Sequence, residues 1–202
     1  MRIAVIGSGI SGLSAAHFLS KHHKVDLFEQ NDHFGGHSYT YDIKEINKNI
    51  PVDLGFIVFN ELTYPNLINF FNDLNVPFEK SNMSFSVSIK NTSVEYGGSG
   101  LGAIFANKLN LFNFNFLKMI KEILKFYKNA PLLLNNNTSK ETLGNYLERS
   151  KLSKYFIEFH IIPMVAAIWS MPFSKAKELP LNLFLQFFIN HGLFKLKNRP
   201  QW

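Results

Sequence analysis

The residues best suited to chemistry come first in the chain. Gly7-Ser8-Gly9-Ile10-Ser11-Gly12 comes directly after the short β-branched run Ile3 to Ile6, and a helical pattern begins at once. A strand entering a helix through such a turn makes a phosphate cradle. Gly7 permits the tight turn, Gly9 lets a pyrophosphate approach the backbone, and Gly12 lets helix and strand pack closely. The helix start adds unpaired N–H groups and the positive end of its dipole. An ordinary turn has the same composition, so the neighbouring segments decide between the two readings.

Those segments are in register. Leu13 to Lys21 reads as a helix with Leu13, Ala16 and Leu19 or Phe18 on one face, and Ala15 and Ala16 are small enough for close packing on a sheet. His22-His23-Lys24 suits a helix C-terminus, and Val25 to Phe28 reads as a second strand ending at Glu29. The span is about the ~30 residues of a nucleotide-binding βαβ unit, with an acidic residue about 20 positions after the glycines. Glu29 is placed to bind ribose hydroxyls and to repel a 2′-phosphate, which disfavours NADP. Phe34-Gly35-Gly36-His37-Ser38 then supplies a second glycine pair, which reads as another backbone approach to a cofactor or as a hairpin turn. Tyr39 to Ile46 and Val52 to Phe59 read as strands joined by Asn47-Lys48-Asn49. Asp53-Leu54-Gly55 falls inside the second strand, where a glycine marks close approach to a ligand.

Composition limits the alternatives. The chain has 202 residues, an apolar share of 46% and 21 Phe, enough for a substantial core. It has no cysteine, which removes disulfides, thiolate metal sites and Cys nucleophiles. The net charge of +6 permits contact with anionic surfaces, but lysine is spread along the chain and no nucleic-acid module is visible. Nucleic acid is therefore not expected as a partner. The seven histidines share no face and no HExxH spacing, so no metal site is expected. No signal peptide is read at the start. The best apolar stretch, Ile161 to Ile168, is short and broken by Pro163, so a cytoplasmic location is expected, with contact at the inner membrane face left open.

The runs GSGISGLSAAHFLS, FEQNDHFGGHSYTYD and PVDLGFIVFNELTYPNL resemble the FAD-dependent oxidoreductases of the flavin amine oxidase and phytoene desaturase superfamily. NMSFSV at 82–87, IIPMVAAIWSMP at 161–172 and FFINHGLFKLKNRPQW at 187–202 are similar to a bacterial branch associated with cyclopropane fatty acid synthases, the predicted NAD/FAD-binding amine oxidoreductases. The resemblance implies FAD as cofactor. It implies that Gly7, Ser8, Gly9, Ser11 and Gly12 hold the pyrophosphate, with Ile10 in the same turn, and that Glu29, next to Gln30, holds the adenosine ribose. Gly35, Gly36 and His37 would line the pyrophosphate and ribityl region, and Asp53, Gly55 and Phe56 would approach the flavin. His37 stands where amine oxidases usually carry Arg, which puts amine chemistry in doubt. No catalytic side chain is named. Family and Phe content point to a lipophilic, fatty-acyl or amine substrate; a non-catalytic flavin protein docking on membrane or on a lipid-modifying enzyme is the alternative.

The rest of the chain reads as a second domain. Asn66 to Leu74 is a helix with Leu67, Phe70, Phe71 and Leu74 on its apolar face. Met83 to Ile89 alternates with serines as a half-buried strand, and turns at Asn91-Thr92-Ser93 into Val94 to Tyr96. Phe114 to Lys128 is helical, with Leu117, Ile120, Leu124 and Tyr127 expected on the buried face. Lys118, Lys121, Lys125 and Lys128 form a stripe that reads as a solvated face, or as a membrane-docking one. Thr138 to Glu141 reads as a capping box, Ser153 to Ile162 as a helix ending at a Pro163 kink or restart, and Leu181 to His191 as a last helix. Trp169, Phe184, Phe187 and Phe188 read as core, with a substrate tunnel as the alternative. The expected fold class is α/β: a Rossmann-like FAD-binding βαβ domain with an incomplete sheet at 1–78, then an α+β, mainly helical substrate domain at 79–202. No closing strand comes after the last helix, so the chain is expected to be the N-terminal part of a longer oxidoreductase, inactive and a poor FAD binder by itself. Oligomeric state is not legible.

Overall fold

The computed structural model describes the chain apart from residues 46–47, 57, 135–140, 197–199 and 201. It divides into two compact units, Met1–Glu79 and Lys80–Trp202. The first opens with β1 (Arg2–Ile6), α1 (Ile10–Ser20) and β2 (Lys24–Phe28). β1 and β2 pair in parallel from Arg2↔Lys24 to Ile6↔Phe28, the arrangement that a crossover helix between two strands imposes. Arg2 Nε donates to Asp26 Oδ2 at 2.6 Å across this pair. β3 (Ser38–Glu45) and β4 (Lys48–Gly55) form an antiparallel ribbon, and α2 (Pro65–Leu74) starts on a proline whose missing N–H costs nothing in a first turn.

The ribbon corrects two sequence boundaries. Pairing continues to Glu45↔Lys48, so Lys48 and Asn49 belong to β4, while Asn47 lies outside the described residues. β4 ends at Gly55 rather than running to Phe59, because Gly55 has φ +84°, a left-handed conformation that breaks the strand.

The second unit starts with a short hairpin, β5 (Ser86–Ser88) and β6 (Glu95–Gly97), then α3 (Leu101–Ile104) and a 3₁₀ turn at Lys108–Phe112. The paired part of the predicted strand is only three residues long. Next comes α4 (Phe114–Leu133), its start capped by Asn113 Oδ1, which accepts the Phe116 N–H at 3.1 Å. Its buried face is turned partly away from the one that the periodicity picks: Tyr127 is buried as expected and Ile120 packs against the core, but Leu117 and Leu124 do not. Phe116, Met119, Ile123, Phe126, Tyr127 and Ala130 are buried, while Leu117 and Leu124 point outward beside the lysines. The helix carries apolar residues on more than one face, and the core takes the face with the larger rings.

α5 (Leu143–Arg149) is capped by Thr142, whose Oγ1 accepts the Asn145 N–H at 3.2 Å. Thr138, expected as the cap, lies outside the described residues, and Glu141 instead binds Arg149. α6 (Lys154–Phe156), a π turn at Ile157–Ile161 and α7 (Ile162–Trp169) run on as one helical path, with Pro163 in the first turn of α7. Pro163 has no N–H to offer the carbonyl four residues back, that of Phe159. The Tyr96 hydroxyl donates to that carbonyl at 2.8 Å. α8 (Phe173–Ala176) and α9 (Leu181–Asn190) complete the unit. Phe184 and Phe188 are fully buried and 4.3 Å apart between ring centroids, and Trp169 stacks on Phe188. Phe184 and Phe188 are core, and Trp169 and Phe187 are partly buried against it.

Candidate functional site

The site is built on Ser8, which is completely buried although its neighbours in the turn are not. The parallel ladder runs one residue beyond β1, the Gly7 N–H donating to the Phe28 carbonyl at 2.7 Å. Gly7 then turns the chain with φ +91°. Ser8 N–H donates to Glu29 Oε2 at 2.7 Å, and its hydroxyl donates to the same oxygen. The Ser8 carbonyl accepts the Gly35 N–H at 3.0 Å, and Gly9 and Gly35 form a parallel bridge. One serine thus ties the first glycine turn to the end of β2 and to the second glycine pair.

The glycines are required where these segments meet. A Cβ on Gly12 would lie 1.8 Å from the Gly7 carbonyl oxygen, so the first turn of α1 rests directly on the end of β1. A Cβ on Gly36 would lie 3.0 Å from Gly9 Cα, and one on Gly55 would lie 2.0 Å from the His37 carbonyl. A Cβ built on Gly9 meets nothing within 4 Å, which leaves open space over the turn. No side chain caps α1 and no acidic residue lies in its first turn. The first N–H groups of an α-helix have no intrahelical partner, so this end offers donors and partial positive charge to an anion.

Glu29 is more committed than the sequence implies. Its Oε1 accepts from Gln30 N–H at 2.8 Å, Asn31 N–H at 2.9 Å and Asn31 Nδ2 at 3.2 Å, while Oε2 takes both Ser8 donors. The Asn31 amide first, then the Ser8 hydroxyl and amide, hold its carboxyl down at about 2, so it is anionic at any physiological pH. A ribose hydroxyl at this carboxylate shares it with these donors or displaces Ser8 Oγ.

The structure brings the later candidates into the same region by backbone contacts. Ser38 N–H donates to the Gly35 carbonyl at 3.1 Å, Ser38 pairs with Gly55, and Phe56 N–H donates to the His37 carbonyl at 3.3 Å. Gly35, Gly36, His37, Gly55 and Phe56 therefore form one connected edge beside Gly9. The His37 and Phe56 side chains are exposed. Asp53 lies two residues back along β4, its Oδ1 accepting from Thr40 Oγ1 at 2.6 Å on the ribbon. Ile10, Ser11 and Gln30 are exposed around the turn.

Two polar groups in the same unit escaped sequence reasoning. Asn60 is only 2% exposed; its Oδ1 accepts Thr63 N–H at 3.0 Å, but its Nδ2 and the Thr63 hydroxyl have no partner among the described residues. Phe56 and Tyr64 rings lie 5.9 Å apart, which places this turn next to the Gly55–Phe56 end of the ribbon. A lone Asn after an apolar run gives no periodicity signal. In the second unit, buried His160 has both ring nitrogens bonded, Nδ1 to Tyr96 Oη at 2.9 Å and Nε2 to Tyr127 Oη at 3.0 Å. Burial pushes its pKa down to about 3, so it is a neutral core group. Among the described residues no cluster of three His, Asp or Glu is arranged to hold a metal ion.

A βαβ unit with a glycine turn at an uncapped helix start defines a Rossmann-like dinucleotide-binding fold. Residues 5–74 match the sequence pattern of the NAD(P)-binding Rossmann-like domain. The solved structures agree in fold. Putrescine oxidase, wild type bound to putrescine, matches with a TM-score of 0.66 at 18% identity over 100% of this chain and 46% of its own. An oxidoreductase from Methanosarcina mazei matches with a TM-score of 0.54 at 17% identity over 96% of this chain and 44% of its own. A candidate protoporphyrinogen oxidase from Exiguobacterium sp. 255-15 gives 0.53 at 16% identity over 100% and 47%. The chain thus spans less than half the length of each of these three proteins. No curated protein sequence matches it.

Proposed function

We propose that this chain is the dinucleotide-holding part of an FAD-dependent oxidoreductase that takes a hydride from a lipophilic, fatty-acyl or amine substrate. The observation that carries this reading is the junction at Ser8, where two glycine segments and an anionic Glu29 meet beside the uncapped start of α1. A plain NAD-binding βαβ unit has no use for the second glycine segment. Here Gly36 lies against Gly9, and the connected edge leads on to Gly55 and Phe56. Bound there, a flavin would supply hydride acceptance and reoxidation.

The chain's own residues bind and orient. N–H groups at the start of α1 would face the pyrophosphate, with the open space over Gly9 admitting it. Glu29 would accept from the adenosine ribose. The unpartnered Asn60 Nδ2 and Thr63 Oγ1 would meet polar atoms of the cofactor's far half, which is the fit expected of buried polar groups. Among the described residues no side chain is assigned as a substrate acid or base. The structural likeness to a putrescine-bound oxidase supports an amine, and the Phe-rich composition supports a lipophilic molecule.

Titration calorimetry with FAD, NAD and NADP tests the reading. The expected order is FAD, then NAD, with NADP weakest because its 2′-phosphate meets Glu29, and Glu29→Gln should shrink the NADP penalty. An NADP response equal to or stronger than that of FAD would sink it.

A further inference from the structure

The outward face of α4 does not resemble an ordinary solvated helix surface. With Phe116, Met119, Ile123, Phe126, Tyr127 and Ala130 turned into the core, the 3.6-residue period puts Lys118, Lys121, Lys125 and Lys128 together on the opposite face. Phe114, Leu117, Leu124 and Leu132 share that face and are all exposed. The one carboxylate of α4, Glu122, is half-buried and engaged by Ser153, which donates both its N–H and its hydroxyl. A solvated face normally mixes charge signs; this one carries lysines and large apolar side chains with no carboxylate.

The segment before the helix continues the pattern. The 3₁₀ turn exposes Lys108, Leu109 and Leu111, and the two most exposed rings in the unit flank Asn113, where turn passes into helix: Phe112 at 84% and Phe114 at 86%. Two phenylalanines held out by a capped, well-packed helix have no folding role on their own unit. Large exposed apolar patches mark a docking surface. The core of a protein–protein interface is depleted in lysine, whereas lysines flanking apolar anchors match the phosphates and acyl boundary of an anionic bilayer.

We infer that the turn Lys108–Phe112 and the outward face of α4 dock on an anionic lipid bilayer, with Phe112 and Phe114 entering the acyl boundary and the lysines meeting lipid phosphates. This rests on the second unit alone and is independent of the dinucleotide reading. It also gives a physical route by which a lipophilic substrate would be taken from the membrane.

Co-sedimentation of the 202-residue chain with vesicles tests the proposal. The chain should pellet with mixed phosphatidylcholine and phosphatidylglycerol vesicles at low salt and be released as salt shortens the Debye length. It should stay in the supernatant with phosphatidylcholine alone. Each lysine near the surface contributes about a fivefold gain, so K118E/K121E/K125E should lower partitioning on the order of 100-fold. F112S/F114S should lower it about tenfold or more, with an unchanged circular dichroism spectrum. Because the chain has no cysteine, Phe112→Cys carries a single environment-sensitive dye, whose emission should shift blue on vesicles and be quenched by nitroxide lipid. The same dye at exposed Glu148, through E148C, should not respond. Absence of vesicle binding overturns the proposal, as does binding that F112S/F114S leaves intact, or a dye at E148C that responds equally. A dimer in light scattering that F112S/F114S dissolves, without vesicle binding, would assign the face to a second copy instead.

Discussion

Acid should unfold the second unit through one residue, His160. In the folded chain its neighbours are the Tyr96 and Tyr127 hydroxyls and the Phe85 and Phe156 rings, and its imidazole is held neutral down to about pH 3. In the unfolded chain it titrates near the ordinary histidine value of 6.5. Between those two values the unfolded state binds the extra proton, so stability is complete above about pH 6.5 and falls as pH drops. At about 1.36 kcal/mol per unit the loss reaches roughly 2 kcal/mol at about pH 5 and roughly 3 kcal/mol at about pH 4. The hydrogen bonds add a fixed cost. If Tyr96 O–H donates to the Phe159 carbonyl, His160 must donate from Nδ1 and accept at Nε2, so His160→Phe leaves hydroxyls without this partner and costs about 1–3 kcal/mol at neutral pH. Both tryptophans, Trp169 and Trp202, lie in the second unit, so their emission tracks this unit through a urea titration. The gap in unfolding free energy between wild type and His160→Phe should shrink by roughly 2 kcal/mol from about pH 7.5 to about pH 5. Carboxylate titrations are common to both proteins and cancel in the difference. A gap that stays constant across this range would refute a neutral, buried His160.

The first unit supplies two further expected outcomes. Gly12→Ala places a Cβ at 1.8 Å from the Gly7 carbonyl, so the turn must open. Thermal melting should show a cost of about 1–3 kcal/mol or more, and dinucleotide binding should fall at least tenfold, which calorimetry reads. Glu29 is held at about 2, so its carboxylate stays charged far below the ordinary range and its contribution to stability, complete above the ordinary value of 4.5, is lost progressively as pH falls from there through about 2. Dinucleotide affinity should therefore be flat from neutral pH down to about 4 in wild type; a transition near 4.5 would contradict the Ser8 and Asn31 contacts.

The first unit was largely legible because its constraints are steric. A strand, a glycine at each point of close approach and a small-residue helix leave few other arrangements, and Gly7, Gly12, Gly36 and Gly55 each stand where a side chain would strain or collide. Element ends were less legible. Lys48 and Asn49 look like turn residues, but the ladder extends to Lys44↔Asn49 and Glu45↔Lys48, and Gly55 closes the strand sooner than its apolar neighbours imply. In α4 the periodicity supplied two competing apolar faces. Choosing between them required the size of the cavity offered by neighbouring helices, which no local pattern encodes. The apolar residues that the core rejects, Leu117 and Leu124, are the ones left among the lysines.

What the sequence did not reveal at the candidate site is how its donors and acceptors are already matched. Glu29 looked like a carboxylate waiting for a ribose, because only its distance from the glycines can be read along the chain. In the fold it accepts from Ser8, Gln30 and Asn31, so it first joins the strand ends and only then is available to a ligand. The same holds for Ser8, whose type suggests a phosphate-binding hydroxyl but whose Oγ is engaged by Glu29. In the proposed site the phosphate end would therefore rest on backbone N–H groups rather than on this hydroxyl. That division makes a direct demand on experiment: Ser8→Ala should remove one of the two donors on Glu29 Oε2 while leaving the backbone N–H of residue 8 and the helix donors in place. It should weaken the first unit more than it weakens dinucleotide binding, with thermal melting and calorimetry reading the two effects separately. A loss of binding larger than the loss of stability would return the hydroxyl to the phosphate.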